Sequence, residues 1–120
     1  MNVNGSCHCG AVRLIVPHAP EWIGSCNCTI CRKLGWLAAY YPDDNCVRVE
    51  GETVSYIHGD RMSALHHCPN CACITHWVST GESYGRIGMN ARLLDGFTVD
   101  GGRYFLDGVQ LEVRYLDNAG

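Results

Sequence analysis

Short apolar runs, rich in β-branched and aromatic residues, recur along the chain, and each is closed by a turn signal. VRLIV (12–16) stops at Pro17, WLAAYY (36–41) at PDDN, TVSYI (53–57) at HGD, and ITHWVS (74–79) at TGES. Runs of this length bounded by Pro, Gly, Asn and Asp are strand signals. Two later stretches, YGRIGMNARLL and VQLEVRYL, also suit strands. In the second, period two places Val109, Leu111 and Val113 on one face and Gln110, Glu112 and Arg114 on the other. No long helical period is present, and a single short helical turn is expected over residues 30–34, Ile30 to Leu34. The pattern predicts a mainly β fold with little helix, a sandwich or an open barrel.

Composition narrows the class. The chain has 120 residues, 47% hydrophobic and 18% charged. It shows no repeat, no low-complexity tract and no Ser/Gly linker, so residues 1–120 are read as one domain. A core of this size is modest, and cross-linking would help it. The net charge is −3, and the basic residues are scattered, so nothing is massed to neutralise a phosphate backbone and nucleic acid is not an expected partner. The start, MNVNGSCHCG, lacks a basic and an apolar leader segment, and no apolar stretch is long enough for a membrane span. A soluble, cytoplasmic protein without a membrane partner is expected.

Nine cysteines change the picture. A disulfide scaffold usually shows an even count in a secreted chain. Clustered thiols at metal-ligand spacing in a reducing compartment read instead as a zinc framework that contributes folding energy. Cys7 and Cys9 in SCHCG are two apart, so on a strand both would face one ion. Cys68 and Cys71 in HCPNC have the spacing of a zinc knuckle, with Pro69 starting a tight turn. SCNCTICRK allows Cys26, Cys28 and Cys31 to occupy three corners of a tetrahedron and ends on the only lysine, Lys33. A closed structural site takes four protein ligands, whereas a reactive zinc keeps one position open. Spacing alone leaves the pairing open, because Cys7 and Cys9 are also able to complete a site with two of the central three.

Taken together, GSCHCGAVR, then CNCTICRK, then CPNC resemble the glutathione-dependent formaldehyde-activating enzyme family, which includes centromere protein V; the resemblance spans most of residues 5–80. It implies an Mss4-like, zinc-stabilised β fold holding two zinc ions. Carried over residue by residue, it assigns Cys7, Cys9, Cys68 and Cys71 to a closed structural zinc site and Cys26, Cys28 and Cys31 to a catalytic one. The implied activity is that of a carbon–sulfur lyase, adding a thiol such as glutathione to a small aldehyde. Three thiolates make such a zinc site anionic, and a substrate thiolate makes it more so. Arg32 and Lys33 follow the last ligand and are candidates for charge compensation or for gripping a substrate carboxylate; an ordinary solvated pair is the plainer alternative.

The chain departs from the family where CPNC usually continues with Gly and a small hydroxyl residue, for here Ala72 and Cys73 follow. On a strand, Cys73 would share a face with Cys71, free to swap into the structural site, to close the open one, or to remain a buried thiol. Cys46 reads as a small core residue. His8 is expected to point away from its flanking ligands, and His66, His67 and His76 to lie near the knuckle. Trp36 and Trp77 suit either a pocket wall or core packing. Besides the enzyme, two functions fit this pattern. One is a non-catalytic zinc module that binds a protein partner, and the other is a redox protein using Cys28 and Cys31 as a dithiol. The oligomeric state is not legible in the sequence.

Overall fold

The computed structural model describes residues 2–42, 45–57, 61, 63–81 and 85–117. Parts of the turns expected at 42–45, 58–60 and 80–83, and Tyr84, lie outside them. The strands are β1 (Val3–Ser6), β2 (Arg13–Val16), β3 (Trp22–Cys26), β4 (Ala38–Pro42), β5 (Arg48–Glu50), β6 (Val54–Ile57) and β7 (Ser63–His67). They continue with β8 (Ile74–Ser79), β9 (Arg86–Asn90), β10 (Phe97–Asp100), β11 (Arg103–Leu106), β12 (Val109–Gln110) and β13 (Glu112–Leu116). One α-helix, α1 (Thr29–Leu34), and one 3-10 turn (Ala91–Leu93) complete the described elements. The fold is mainly β with little helix, and the described strands close no barrel.

The strands form one seven-stranded sheet, ordered β13-β3-β4-β9-β8-β7-β6, and two three-stranded sheets, β1-β2-β5 and β10-β11-β12. Neighbours run antiparallel except β13 and β3, which are parallel, with Glu112 opposite Trp22 and Leu116 opposite Cys26.

The apolar run 36–41 shows why no simple alternation is visible there. Leu37, Ala39 and Tyr41 pack into the main core with Val12, Leu14, Val16, Ile23, Met89 and Leu106. Trp36, Ala38 and Tyr40 pack into a second cluster with Ile30, Leu65, Ile74 and Trp77. Both faces of the strand are covered, so every position is apolar. Glycines make room for the rings of that second cluster. A Cβ on Gly88 would stand 3.3 Å from the Tyr40 ring and 3.5 Å from that of Trp36.

Local expectations were met in part. The expected strand 84–94 is a strand only to Asn90; there the Asn90 carboxamide oxygen accepts from the Arg92 amide at 3.1 Å and starts the 3-10 turn. The run 109–116 is two strands rather than one. Val109 is 68% exposed while Leu111 is buried, so the two do not share an environment. The Leu111 amide donates to the Tyr104 carbonyl at 2.8 Å, and the chain then leaves the small sheet to join β3 as β13. Cys7 and Cys9 do not lie on a strand. They occupy a turn after β1, closed by the Gly10 amide on the Cys7 carbonyl at 3.1 Å, with Gly10 at φ 83. The exposed His8 belongs to the same turn. Cys71 and Cys73 also precede their strand, β8, so period two does not relate them.

Candidate metal centres and an adjoining cavity

Two groups of sulfurs converge. In each, Cys7, Cys9, Cys68 and Cys71 on one hand and Cys26, Cys28 and Cys31 on the other, all ligand atoms lie within 4.8 Å of one another. In the first group the Cys7–Cys9 and Cys9–Cys68 sulfur separations are both 3.6 Å. A tetrahedron with metal–sulfur bonds of about 2.3 Å has edges of about 3.8 Å, so the donor set fits zinc in spacing and in chemistry. The nine cysteines form no disulfide.

The four-cysteine group is assembled from two tight turns. The Val12 amide donates to Cys7 Sγ at 3.3 Å, and the Asn70 amide donates to Cys68 Sγ at 3.4 Å. Such donors favour the thiolate form that a metal requires. The Cys73 and Cys9 amides hold the Cys71 thiol down at about 5. Cys9 goes the other way. The Ala11 amide lowers it, but burial and the neighbouring thiols Cys68, Cys7 and Cys71 push it up to about 11. A divalent cation bound here would displace the thiol protons that remain. Ala72, in the knuckle, has φ 66, a left-handed conformation that suits glycine.

The three-cysteine group sits where β3 turns into α1. Cys26 ends the strand, and the Cys28 amide donates to its sulfur at 3.4 Å. Cys28 caps α1 and accepts the Arg32 amide on its carbonyl at 2.9 Å, so the first helical turn lifts Cys31 back toward the strand end. The helix stops at Gly35, φ 67, whose amide donates to the Cys31 carbonyl at 2.9 Å. Trp36, only 7% exposed, donates its indole N–H to Cys31 Sγ at 3.2 Å. Burial pushes the Cys31 thiol well above its ordinary range, with the indole pulling against it. At Cys28 burial also raises the thiol, but the Cys31 amide, the Cys31 and Cys26 thiols and the Ile30 amide together leave it lowered.

The two groups belong to different packing environments. Cys7, Cys68 and Cys71 pack with the main core, and Cys31 packs with the Trp36 cluster on the other face of the large sheet. Cys73 packs with the main core and interacts with Cys71, which places it with the four-cysteine group and not with the other. Cys46 lies against the main core, its thiol donating to the Pro42 carbonyl at 3.5 Å.

An open cavity of about 450 Å³ adjoins the three-cysteine group, lined by Ser25, Cys26, Asn27, Cys31, Arg32, Gly35, Tyr115, Leu116 and Asp117. Arg32 is in its wall. Lys33 is exposed on the last turn of α1 and is not among the lining residues. Trp36 acts through its ring nitrogen and packs in the core as well. Nothing in the sequence pattern pointed to Asn27 or to residues 115–117. Asn27 follows directly on Cys26, and residues 115–117 reach the cavity through the parallel pairing of β13 with β3.

A model of the family described as glutathione-dependent formaldehyde-activating enzyme matches residues 2–98. The chain belongs to that family. The matched span contains both cysteine groups and ends before β13. A Halomonas elongata protein, provisionally named a glutathione-dependent formaldehyde-activating enzyme, is 34% identical over 90 residues, which cover 65% of this chain and 56% of that protein. The chain thus corresponds to little more than half of that relative's length. The crystal structure of a Rhodobacter sphaeroides protein superposes with a TM-score of 0.69 at 26% identity, covering 92% of this chain and 99% of the other. Among the described residues no helix is long and apolar enough to cross a membrane.

Proposed function

We propose that this member of the formaldehyde-activating enzyme family is a zinc-dependent carbon–sulfur lyase. In this reading it joins a thiol, such as glutathione, to a small aldehyde at the site of Cys26, Cys28 and Cys31. Cys7, Cys9, Cys68 and Cys71 hold a second, structural zinc. The observation that carries the proposal is a site of three sulfurs, not four, beside a cavity of about 450 Å³. That volume falls in the range of small-molecule pockets.

A zinc ion held by the three sulfurs would supply a Lewis acid that lowers the pKa of a thiol beside it and polarises a carbonyl. The protein's part is to hold and to balance. The Cys28 amide and the Trp36 indole fix the Cys26 and Cys31 sulfurs through N–H···S bonds. Arg32, in the cavity wall, offsets the negative charge that an incoming thiolate adds. The thiolate sulfur forms a bond to the aldehyde carbon, the carbonyl pair moves onto oxygen, and that oxygen takes up one proton, balancing the one the thiol released, to give an S-hydroxyalkyl product.

Cobalt substituted for zinc tests the reading. Adding glutathione or a simpler thiol is expected to shift the charge-transfer and ligand-field bands as another sulfur enters, and thiol plus formaldehyde should give the adduct by NMR. A spectrum already typical of four sulfurs and unmoved by any thiol would leave the non-catalytic zinc module as the better reading.

A further inference from the structure

The cavity contains a charge that thiol chemistry alone does not call for. Asp117 lies in its wall together with Arg32, and the Asn27 carboxamide N–H donates to the Asp117 carboxylate at 3.0 Å. Asn27 stands between Cys26 and Cys28, so this bond ties the end of β13 to the loop that carries the sulfurs. The Asn27 amide also donates to the Leu116 carbonyl at 3.1 Å. Three thiolates around a divalent ion already sum to a negative site, and a carboxylate in the same cavity adds to it. For an incoming thiol whose other charges are all negative, Asp117 is repulsive. It is most favourable toward a ligand that brings a cation with its sulfur.

We propose that Asp117, held by Asn27, is a specificity-determining residue that selects thiols carrying an ammonium group, while Arg32 in the same cavity wall receives a carboxylate. This rests on the thiol-binding reading above and extends it to a residue just past β13, outside the span of the family match. An exposed, charge-assisted contact of this kind is worth roughly a fivefold change in affinity.

The test uses the zinc-loaded full chain and calorimetric dissociation constants for four probes: cysteine, cysteamine, 3-mercaptopropionate and 2-mercaptoethanol. Wild type is expected to bind cysteine more tightly than 3-mercaptopropionate and cysteamine more tightly than 2-mercaptoethanol, the pairs that differ by the ammonium. Asp117→Asn preserves an acceptor for Asn27 and removes only the charge. It should weaken cysteamine and cysteine about fivefold while leaving 2-mercaptoethanol unchanged and 3-mercaptopropionate unchanged or tighter. A purely structural Asp117 would move all four thiols together, and that result overturns the proposal. So does a wild type with no preference for the ammonium-bearing probes, which needs no variant to observe. Absence of binding by every thiol would overturn the thiol-binding reading too, so the two failures are distinguishable.

Discussion

The Trp36 indole N–H donates to Cys31 Sγ at 3.2 Å, so a core aromatic and a candidate metal ligand are joined by one hydrogen bond. The ring itself packs with Ala38 and Leu65. Without the donor, the sulfur loses that hydrogen bond and the ring keeps its packing. Trp36→Phe is therefore expected to cost about 1–2 kcal/mol, chiefly the lost hydrogen bond and some volume. It should also weaken zinc at the three-cysteine site more than at the four-cysteine site. Chelator competition on the variant and on wild type checks this, and equal weakening at both sites would argue against it.

Elemental analysis of protein purified without added metal should find two zinc ions per chain, one for each convergent group of sulfurs. Cys71→Ala is expected to give insoluble or readily melted protein, because metal binding at a group that joins two distant turns is coupled to folding. Cys28→Ala should lower the zinc content toward one with a milder loss of stability. Comparable collapse in both variants would remove the distinction between the two sites.

Ala72 pays a conformational cost at φ 66, since a left-handed backbone costs a residue with a Cβ about 1–2 kcal/mol. Ala72→Gly relieves it but loosens the unfolded chain by about 0.4–1 kcal/mol. The net expectation is a gain of about 0.5–1 kcal/mol, read as a higher melting temperature with unchanged zinc content. A lower melting temperature would show that the knuckle is not strained there.

His76 supplies a pH signature. It is buried and stacked on His66 at 4.4 Å, and its Nδ1 lies 2.8 Å from the Thr75 hydroxyl oxygen. Thr75 spends its own proton on the His66 carbonyl at 3.2 Å, so Nδ1 of His76 is the donor. Burial, helped by His66, lowers the imidazole from 6.5 to about 4. A depressed histidine keeps its full contribution above the unfolded value near 6.5, and loses it as pH falls through that value toward 4. The loss amounts to at most about 3 kcal/mol. His76→Asn retains a donor for Thr75 without a titrating group. Melting temperatures measured from pH 7 to pH 4 should fall more steeply for wild type than for the variant, and parallel curves would refute the assignment.

Packing also limits the glycines. A Cβ on Gly5 would run into the Leu93 carbonyl oxygen, a backbone atom with no freedom to withdraw, at the point where Gly5 bridges to Leu94. Gly5→Ala is expected to destabilise the fold by about 1–3 kcal/mol, as overpacking does. At Gly24 the nearest atom is Leu116 Cδ1 at 2.8 Å, the end of a flexible side chain, so Gly24→Ala should cost less in stability. It should instead displace Leu116 in the cavity wall and alter thiol affinity. Thermal unfolding of the two variants together with thiol titration of the second separates these outcomes.

Sequence alone settled what depends on neighbours in the chain. The apolar runs between turn signals located β2, β4, β6 and β8, because a strand's side chains alternate and its ends are marked by residues that leave the extended conformation. The short helix after Cys28 was legible too. The cysteine motifs with their flanking residues pointed to the family, since thiol spacing within a turn is a local property. What the sequence left open was every relation between distant segments. Whether Cys7 and Cys9 meet Cys68 or the central three depends on which turns the sheets bring together. Cys73 was assigned by the face of the large sheet with which it packs. Residues 109–116 broke at Leu111 because two different partner strands offered hydrogen bonds, and periodicity carries no record of a partner. The same crossing delivered Leu116 and Asp117 to a cavity beside Cys26, where parallel pairing rather than any motif determines what a ligand would meet.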